Sequence, residues 1–241
     1  MYDPLELTKI MERVVVRGRE KKYFRFRFTR FYGCSATADS VGCNLRCIFC
    51  WSGRAVREPN RTGRFYPPEE VVDRLVDIAS KNRCRLVRIS GAEPTIGRGH
   101  LLSILDLMEG YNLTFILETN GILLGYDRGY VEALSGYKNL HVRVSIKGCD
   151  EEEFRFLTRA RYGFSLQIKS LEHLSDHGIS FHPSVVSVFG REKALIDTLK
   201  DMGIKEGSME WEKLRLYPPV KERLKRMGVL KIFKDVCEDK I

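Results

Sequence analysis

Three cysteines within eight residues, Cys43-Asn44-Leu45-Arg46-Cys47-Ile48-Phe49-Cys50, constrain this chain more than any other feature. They follow a β-prone stretch, Cys34 to Ser40, so they fall on a loop after a strand. Thiols packed this closely point to a metal. The C-x3-C-x2-C spacing supplies three ligands, whereas structural zinc and a simple ferredoxin-type cluster each take four. One metal position is then left open for a small chelating molecule. Zinc with Cys34 as the fourth ligand is the competing reading, although Cys34 lies nine positions upstream of Cys43 and no second C-x2-C pair follows.

Length and composition narrow the setting. A chain of 241 residues can bury one sizeable core, so a single domain is expected, with 43% hydrophobic and 30% charged residues and no apolar run long enough for a membrane span. Met1 to Val14 carries Asp3, Glu6 and Glu12 and lacks the basic-then-apolar order of a secretory signal, which implies a cytoplasmic protein. In that setting seven cysteines argue against a disulfide framework and for metal or catalytic use, with Cys84, Cys149 and Cys237 read as isolated core residues. A net charge of +9 and a pI near 9.2 invite an anionic partner, although the positive charges form no long run. A single glutamine and six asparagines beside abundant Lys, Arg and Glu is a composition seen in heat-adapted proteins.

In chain order, Asp3 caps a short helix over Leu5–Val16, with Leu5, Leu7, Ile10, Met11 and Val14 as its apolar positions. Tyr23 to Arg30 then alternates aromatic with basic residues at period two. This is either a stacking, RNA-facing stripe or an edge strand that buries Phe24, Phe26 and Phe28 and leaves its arginines in water. The polar stretch after the cysteines carries Arg54, Arg57, Arg61 and Arg64, either lining an entrance or solvated. Helices are expected over 67–82, 100–109, 128–136, 151–177 (broken at Gly163) and 192–202, and strands over 34–40, 86–90, 113–119, 140–147, 179–188 and 212–217. On strand 140–147, His141, Arg143, Ser145 and Lys147 share one face, expected to point inward; on the last strand, Lys213, Arg215 and Tyr217 are expected to do the same. Six strand–helix pairs fall short of the eight that close a full barrel, so the expected fold is an α/β partial (β/α)6 barrel over residues 34–217. A helix-and-strand extension (1–33) precedes it and a basic helical tail (218–241) follows.

The cysteine spacing, with Phe49 before the last thiol, resembles the signature of the radical S-adenosylmethionine (SAM) superfamily. Ser90-Gly91-Ala92-Glu93-Pro94, about forty residues downstream at a strand end, resembles the Gly-Gly-Glu-Pro turn of that family, with Ala92 replacing the second glycine. The resemblance implies that Cys43, Cys47 and Cys50 bind three irons of a [4Fe-4S] cluster and that SAM chelates the fourth. Ser90, Gly91, Ala92 and Glu93 would hold its aminium group, and Asn120, Ser145 and Lys147 would lie near its ribose and methionine parts. His182 is either a satisfied core histidine or a contact at the barrel mouth. Glu118 and Cys149 are further candidates near the site.

The implied activity is reductive cleavage of SAM to a 5'-deoxyadenosyl radical that abstracts hydrogen, with an electron donor of flavodoxin or ferredoxin type. The short architecture is similar to activases that install a glycyl radical on a partner protein. The Cys47–Trp51 stretch and the Ser145-Ile146-Lys147 end resemble the enzymes that build the wybutosine base in tRNA, although no cysteine precedes Cys34 to bind their second cluster. RNA, protein and cofactor precursors therefore all stand as substrates, and a non-catalytic iron-sulfur or zinc protein is the reading from another class.

Overall fold

The computed structural model describes residues 1–237. Helix α1 (Pro4–Val15) begins where Asp3 accepts hydrogen bonds from the Leu5 and Glu6 amides, with Pro4 in the first turn. The helix is turned from the expected apolar stripe: Thr8, Met11 and Val15 are buried while Ile10 is 52% exposed. The reason is polar, because the Thr8 hydroxyl receives Asn44 Nδ2 at 3.0 Å and must face the cysteine loop.

Strands β1 (Val16–Arg17) and β2 (Glu20–Thr29) lead to β3 (Ser35–Ser40), followed by α2 (Gly53–Arg57), β4 (Arg64–Tyr66) and α3 (Pro68–Lys81). Next come β5 (Leu86–Ser90), α4 (Arg98–Met108), β6 (Thr114–Thr119), α5 (Ile122–Tyr126), α6 (Arg128–Leu134) and β7 (Leu140–Lys147). The remainder is α7 (Glu151–Thr158), α8 (Phe164–Asp176), β8 (Ser180–Val186), α9 (Glu192–Asp201), β9 (Glu210–Trp211) and α10 (Pro218–Arg226). The described residues form one sheet of order β1-β2-β3-β5-β6-β7-β8-β9, with β4 also paired to β2. The six strands from β3 to β9 run parallel, whereas β2 joins β3 antiparallel, so the sheet curls into a partial barrel without closing.

Alternation sorts the side chains. Val142, Val144 and Ile146 of β7 pack into the main core against the helices, and His141, Arg143, Ser145 and Lys147 face the barrel interior. Among the described residues no helix is long and apolar enough to cross a membrane.

Three expectations need correction. The last strand is Glu210–Trp211 rather than 212–217, because beyond it the chain leaves the sheet so that buried Leu214 can join Leu224 and Phe233 in a second core. Lys213, Arg215 and Tyr217 are therefore exposed, and Glu210 and Glu212 turn inward instead. The aromatic–basic strand is neither a free stripe nor a simple edge. A bulge between Tyr23 and Arg25 shifts its register, so Tyr23 and Phe26 join the core while Arg25 and Arg27 both turn onto Asp39. Finally, Cys34 and Cys84 form a disulfide with Cα atoms 5.4 Å apart, whereas the sequence offers Cys34 as a fourth zinc ligand and Cys84 as an isolated core residue. The bridge ties the N-terminal ends of β3 and β5, about 20 Å along β3 from the cysteine loop, so Cys34 is no fourth ligand to Cys43, Cys47 and Cys50.

Candidate active site

The cysteine loop leaves β3 at the C-terminal ends of the parallel strands, the end where barrel enzymes gather their functional loops. Its apolar residues fix it from below: Leu45, Ile48 and Phe49 are buried in the second core with Leu157, Val220, Leu224 and Phe233. Its backbone is pinned from the sides. Arg46 donates to the Cys43 and Leu45 carbonyls, Arg57 to Cys47 O at 3.3 Å, and Arg223 of α10 to Ile48 O and Cys50 O, both at 2.6 Å. The Leu45 amide donates to Cys43 Sγ at 3.3 Å and Asn120 Nδ2 approaches the same sulfur at 3.8 Å.

Burial raises all three thiols, Cys47 to about 12, and for Cys43 the charge of Glu93 adds to the effect. Nearby cations oppose it, namely Lys147 at Cys47 and Arg223, Arg57 and Lys147 at Cys50. A bound metal deprotonates such thiols outright, and amide donors with surrounding cations suit the resulting anionic sulfurs. The donor set therefore fits an iron-sulfur cluster held by three thiolates.

The turn after β5 meets this loop. Gly91 has φ +90°, and a Cβ there would lie 3.0 Å from Asp39 Cα and Ser40 N, so only glycine fits this close crossing. Ser90 O accepts from Ser40 Oγ at 3.0 Å, and the Ala92 amide donates to Ser90 O at 3.2 Å. Glu93 is 1% exposed. Its carboxylate accepts from the Thr95 amide (3.2 Å), Thr95 Oγ1 (2.6 Å), Thr119 Oγ1 (2.7 Å) and the Asn120 amide (2.8 Å). It thus joins the ends of β5 and β6 and presents no free oxygen in this arrangement. Asn120 reaches on, donating to Asn44 Oδ1 at 2.7 Å.

Three residues that pattern reasoning missed complete the scaffold. Buried Lys21 donates to the carbonyls of Glu93, Pro94 and Ile96, three acceptors for the three protons of an ammonium, and desolvation lowers its pKa to about 7 against the pull of Glu93. In sequence it sits in a run of polar turn residues and gives no signal. Gln167, the chain's one glutamine, donates to Asn120 O and Ser145 O and accepts from the Lys147 amide, tying β6 to β7. Glu153 accepts from the Cys149, Val188 and Phe189 amides and so ties β7 to β8, yet it stands beside Glu151 and Glu152 in an ordinary acidic first turn. Cys149, which burial raises to about 12, belongs to that packed corner. Lys21→Met is expected to lower stability by about 3 kcal/mol, because it strands buried carbonyls without donors. Thermal unfolding tests this: a fall of roughly 10 °C is expected for a chain of this size, and a change within 1–2 °C contradicts the anchor.

Ser145 and Lys147 lie together near the cluster loop. Lys147 Nζ contacts Ser145 Oγ, stands 5.4 Å from the Phe49 ring centroid and 3.9 Å from Glu212 Oε2. Glu118 instead pairs with Arg88 at 2.7 Å and accepts from Tyr32. His182, weighed for the barrel mouth, is level with Arg143, about 13 Å down the strand from Val186. There its Nδ1 meets His141 Nε2 at 2.7 Å and its Nε2 meets Glu210 Oε2 at 3.3 Å, so it belongs to an interior polar cluster away from the thiols. Burial works to raise the Glu210 carboxyl, but the hydrogen bonds from Arg143 and His182 prevail and hold it well below the usual carboxylate range.

The interior charges nearly balance. Arg88 pairs with Glu118, Arg143 with Glu210 and Glu212, and Lys147 with Glu212. Arg25 and Arg27 share a single carboxylate, Asp39, at 2.7 Å each, which leaves one excess positive charge there. Over these two guanidiniums lies Trp51, next to Cys50 and 44% exposed, with its ring centroid 5.8 and 6.0 Å from them.

A family model described as the radical SAM superfamily matches residues 38–206. A probable GTP 3',8-cyclase of Methanopyrus kandleri is 29% identical over 181 residues, which cover 75% of this chain and 55% of that relative. A probable GTP 3',8-cyclase of Pyrococcus horikoshii is 28% identical over 163 residues, covering 66% and 47%. The chain thus spans about half the length of the curated relatives it matches. Among solved structures, Streptococcus suis SuiB bound to its precursor peptide SuiA superposes with a TM-score of 0.57 at 22% identity, over 70% of this chain and 36% of SuiB. The protein anSMEcpe with bound AdoMet gives 0.55 at 19% identity, over 81% and 56%. TYW1 with a lysine-pyruvate adduct gives 0.51 at 14% identity, over 85% and 74%. At these identities the structures attest the fold alone, but the family match spans more than half of the chain and coincides with the three-thiol loop. The chain belongs to the radical SAM superfamily, whose members use a [4Fe-4S] cluster and S-adenosylmethionine.

Proposed function

We propose that Cys43, Cys47 and Cys50 bind the cluster, that SAM lies across the ends of β5, β6 and β7, and that the enzyme abstracts hydrogen from a planar, anionic substrate in the barrel interior. When bound and reduced, the cluster supplies the electron that splits SAM to methionine and a 5'-deoxyadenosyl radical. The chain's own residues set the conditions. Glu93, Asn120 and Gln167 hold the strand ends in one polar surface beside the thiols, and Lys147 brings a positive charge suited to a carboxylate. The open edge of the barrel admits a substrate to the charged interior.

The excess charge at Arg25 and Arg27 beneath exposed Trp51 carries the substrate class, because an aromatic face and a guanidinium pair together suit a base or ring bearing phosphate or carboxylate. Nucleotides are the first probes, since the matched relatives are GTP 3',8-cyclases. The test is formation of 5'-deoxyadenosine with and without each of the four ribonucleoside triphosphates, under a chemical reductant. One of them is expected to stimulate cleavage, and Trp51→Ala with Arg25→Gln to lower that stimulation about tenfold or more without changing the unstimulated rate. Stimulation that ignores both substitutions would remove this subsite from the proposal.

A further inference from the structure

The polar side chains around the cysteine loop are committed to one another. Arg46, Arg57 and Arg223 donate to loop carbonyls, Asn44 lies between Thr8 and Asn120, and Glu93 holds Thr95, Thr119 and the Asn120 amide. Ser52, two residues after Cys50, is the exception. It is 5% exposed, and among the described residues its hydroxyl is one of two buried side-chain polar atoms without a hydrogen-bond partner. The other, Asn139 Oδ1, can only accept, and it stands just before β7 at the opposite strand ends.

A buried hydroxyl left unpaired costs roughly 1–3 kcal/mol, so its presence here calls for a partner that the polypeptide does not supply. The usual local role is not taken. Ser52 is the N-cap of α2, where a serine commonly accepts from an amide of the first turn, yet its φ of −74° and ψ of 20° depart from the extended cap conformation and no such bond forms. Its backbone is nonetheless fixed beside the thiols. The Ser52 amide hydrogen-bonds to Cys50 and opposes the burial that raises that thiol. Ser52 O accepts from the Val56 amide at 3.3 Å, Gly42 donates to Ala55 O at 3.0 Å, and Arg57 ties the end of α2 to Cys47 O. The hydroxyl itself is bonded to none of the three thiols, so its acceptor arrives with the group that they hold.

We infer that Ser52 Oγ donates a hydrogen bond to an inorganic sulfide at the Cys50 corner of the cluster and thereby raises its reduction potential. The inference rests on the proposed cluster site and adds a residue that tunes it. A sulfide accepts and has no proton of its own, which suits a hydroxyl with a proton to share and no acceptor in the chain. When a one-electron reductant takes the cluster from its 2+ to its 1+ state, the added negative charge spreads onto the sulfurs. The hydrogen bond then strengthens and favours the reduced form. No bond breaks, and the proton stays on the serine oxygen. Ser52 thus eases reduction of the cluster without being one of its ligands.

The test is a redox titration of the wild type, Ser52→Ala and Ser52→Thr, each reconstituted with iron and sulfide and held without SAM, with the reduced cluster counted by electron paramagnetic resonance. Ser52→Ala is expected to load iron and sulfide as the wild type does. At a fixed potential its reduced-to-oxidised ratio should nevertheless fall about tenfold, a midpoint lower by about 59 mV for one electron. Ser52→Thr, which keeps the hydroxyl, is expected to stay near the wild type. Thermal unfolding of the apo proteins separates this role from a structural one. Ser52→Ala removes a hydroxyl that has no partner in the chain, so its unfolding temperature should equal or exceed that of the wild type. A midpoint unmoved in Ser52→Ala leaves the hydroxyl to a buried water and overturns the inference. So does a midpoint moved equally in Ser52→Thr, or an apo Ser52→Ala protein that is less stable. A wild type that loads no cluster defeats the cluster reading itself, whereas a loaded wild type whose potential ignores Ser52 defeats this inference alone.

Discussion

Cys47→Ala protein, reconstituted anaerobically with iron and sulfide, is expected to hold no [4Fe-4S] cluster and to form no 5'-deoxyadenosine above background. The other two thiols remain in place, because the loop is fixed independently by Arg46, Arg57 and Arg223 and by the burial of Leu45, Ile48 and Phe49. No substitute thiol is at hand. Cys34 is bonded to Cys84 at the opposite strand ends, and Cys149 sits with its amide on Glu153. Changes to residues that merely orient ligands lower metal affinity by roughly 10–100-fold, so removal of one of three ligands should exceed that range. Iron and acid-labile sulfide analysis reads the result directly. Full loading of the variant contradicts the ligand assignment.

Glu93 separates SAM cleavage from cluster assembly. Glu93→Ala leaves four donors at Thr95, Thr119 and Asn120 facing a void, a loss of about 4 kcal/mol or more of stability at roughly 1–3 kcal/mol for each unmet group, so this variant also unfolds more readily. Glu93→Gln is the sharper test. It keeps the shape and one acceptor oxygen, removes the charge, and sets an amide donor against one of the groups that now donate to the carboxylate. Asn120, held through that carboxylate on one side and through Asn44 on the other, then shifts relative to Cys43. Cleavage at subsaturating SAM should fall about 10–100-fold, with less loss at saturation, while the iron content stays at the wild-type level. Equal cleavage at both concentrations contradicts the assigned role.

The sequence carried the periodic features of this fold well. Alternation on Leu140–Lys147 separated the helix-facing valines from the inward polar set, and the prolines and acidic first turn marked α3 to within a residue or two. Where side chains act on distant partners, the reading failed. The stripe on α1 was rotated by a single hydrogen bond that Asn44 donates to Thr8, and β9 moved because two carboxylates meet Arg143 across the sheet. Period two cannot foresee a bulge, so the alternation at Tyr23–Arg25 gave the wrong faces. The thiols and the Gly91–Glu93 turn were legible because chemistry fixes their local spacing. Lys21, Gln167 and Arg223 were not, since each acts across 70 or more positions or as one polar residue in a polar helix, and no local pattern records that.

One measurement bears on the central claim most directly: addition of SAM to the reconstituted, dithionite-reduced protein, followed by electron paramagnetic resonance of the cluster and by chromatography of 5'-deoxyadenosine. A SAM-dependent change in the cluster signal, with product that vanishes in each single variant of Cys43, Cys47 and Cys50, is the predicted result. A cluster whose signal is unmoved by saturating SAM, with no product formed, would contradict the account and leave an iron-sulfur protein without SAM chemistry.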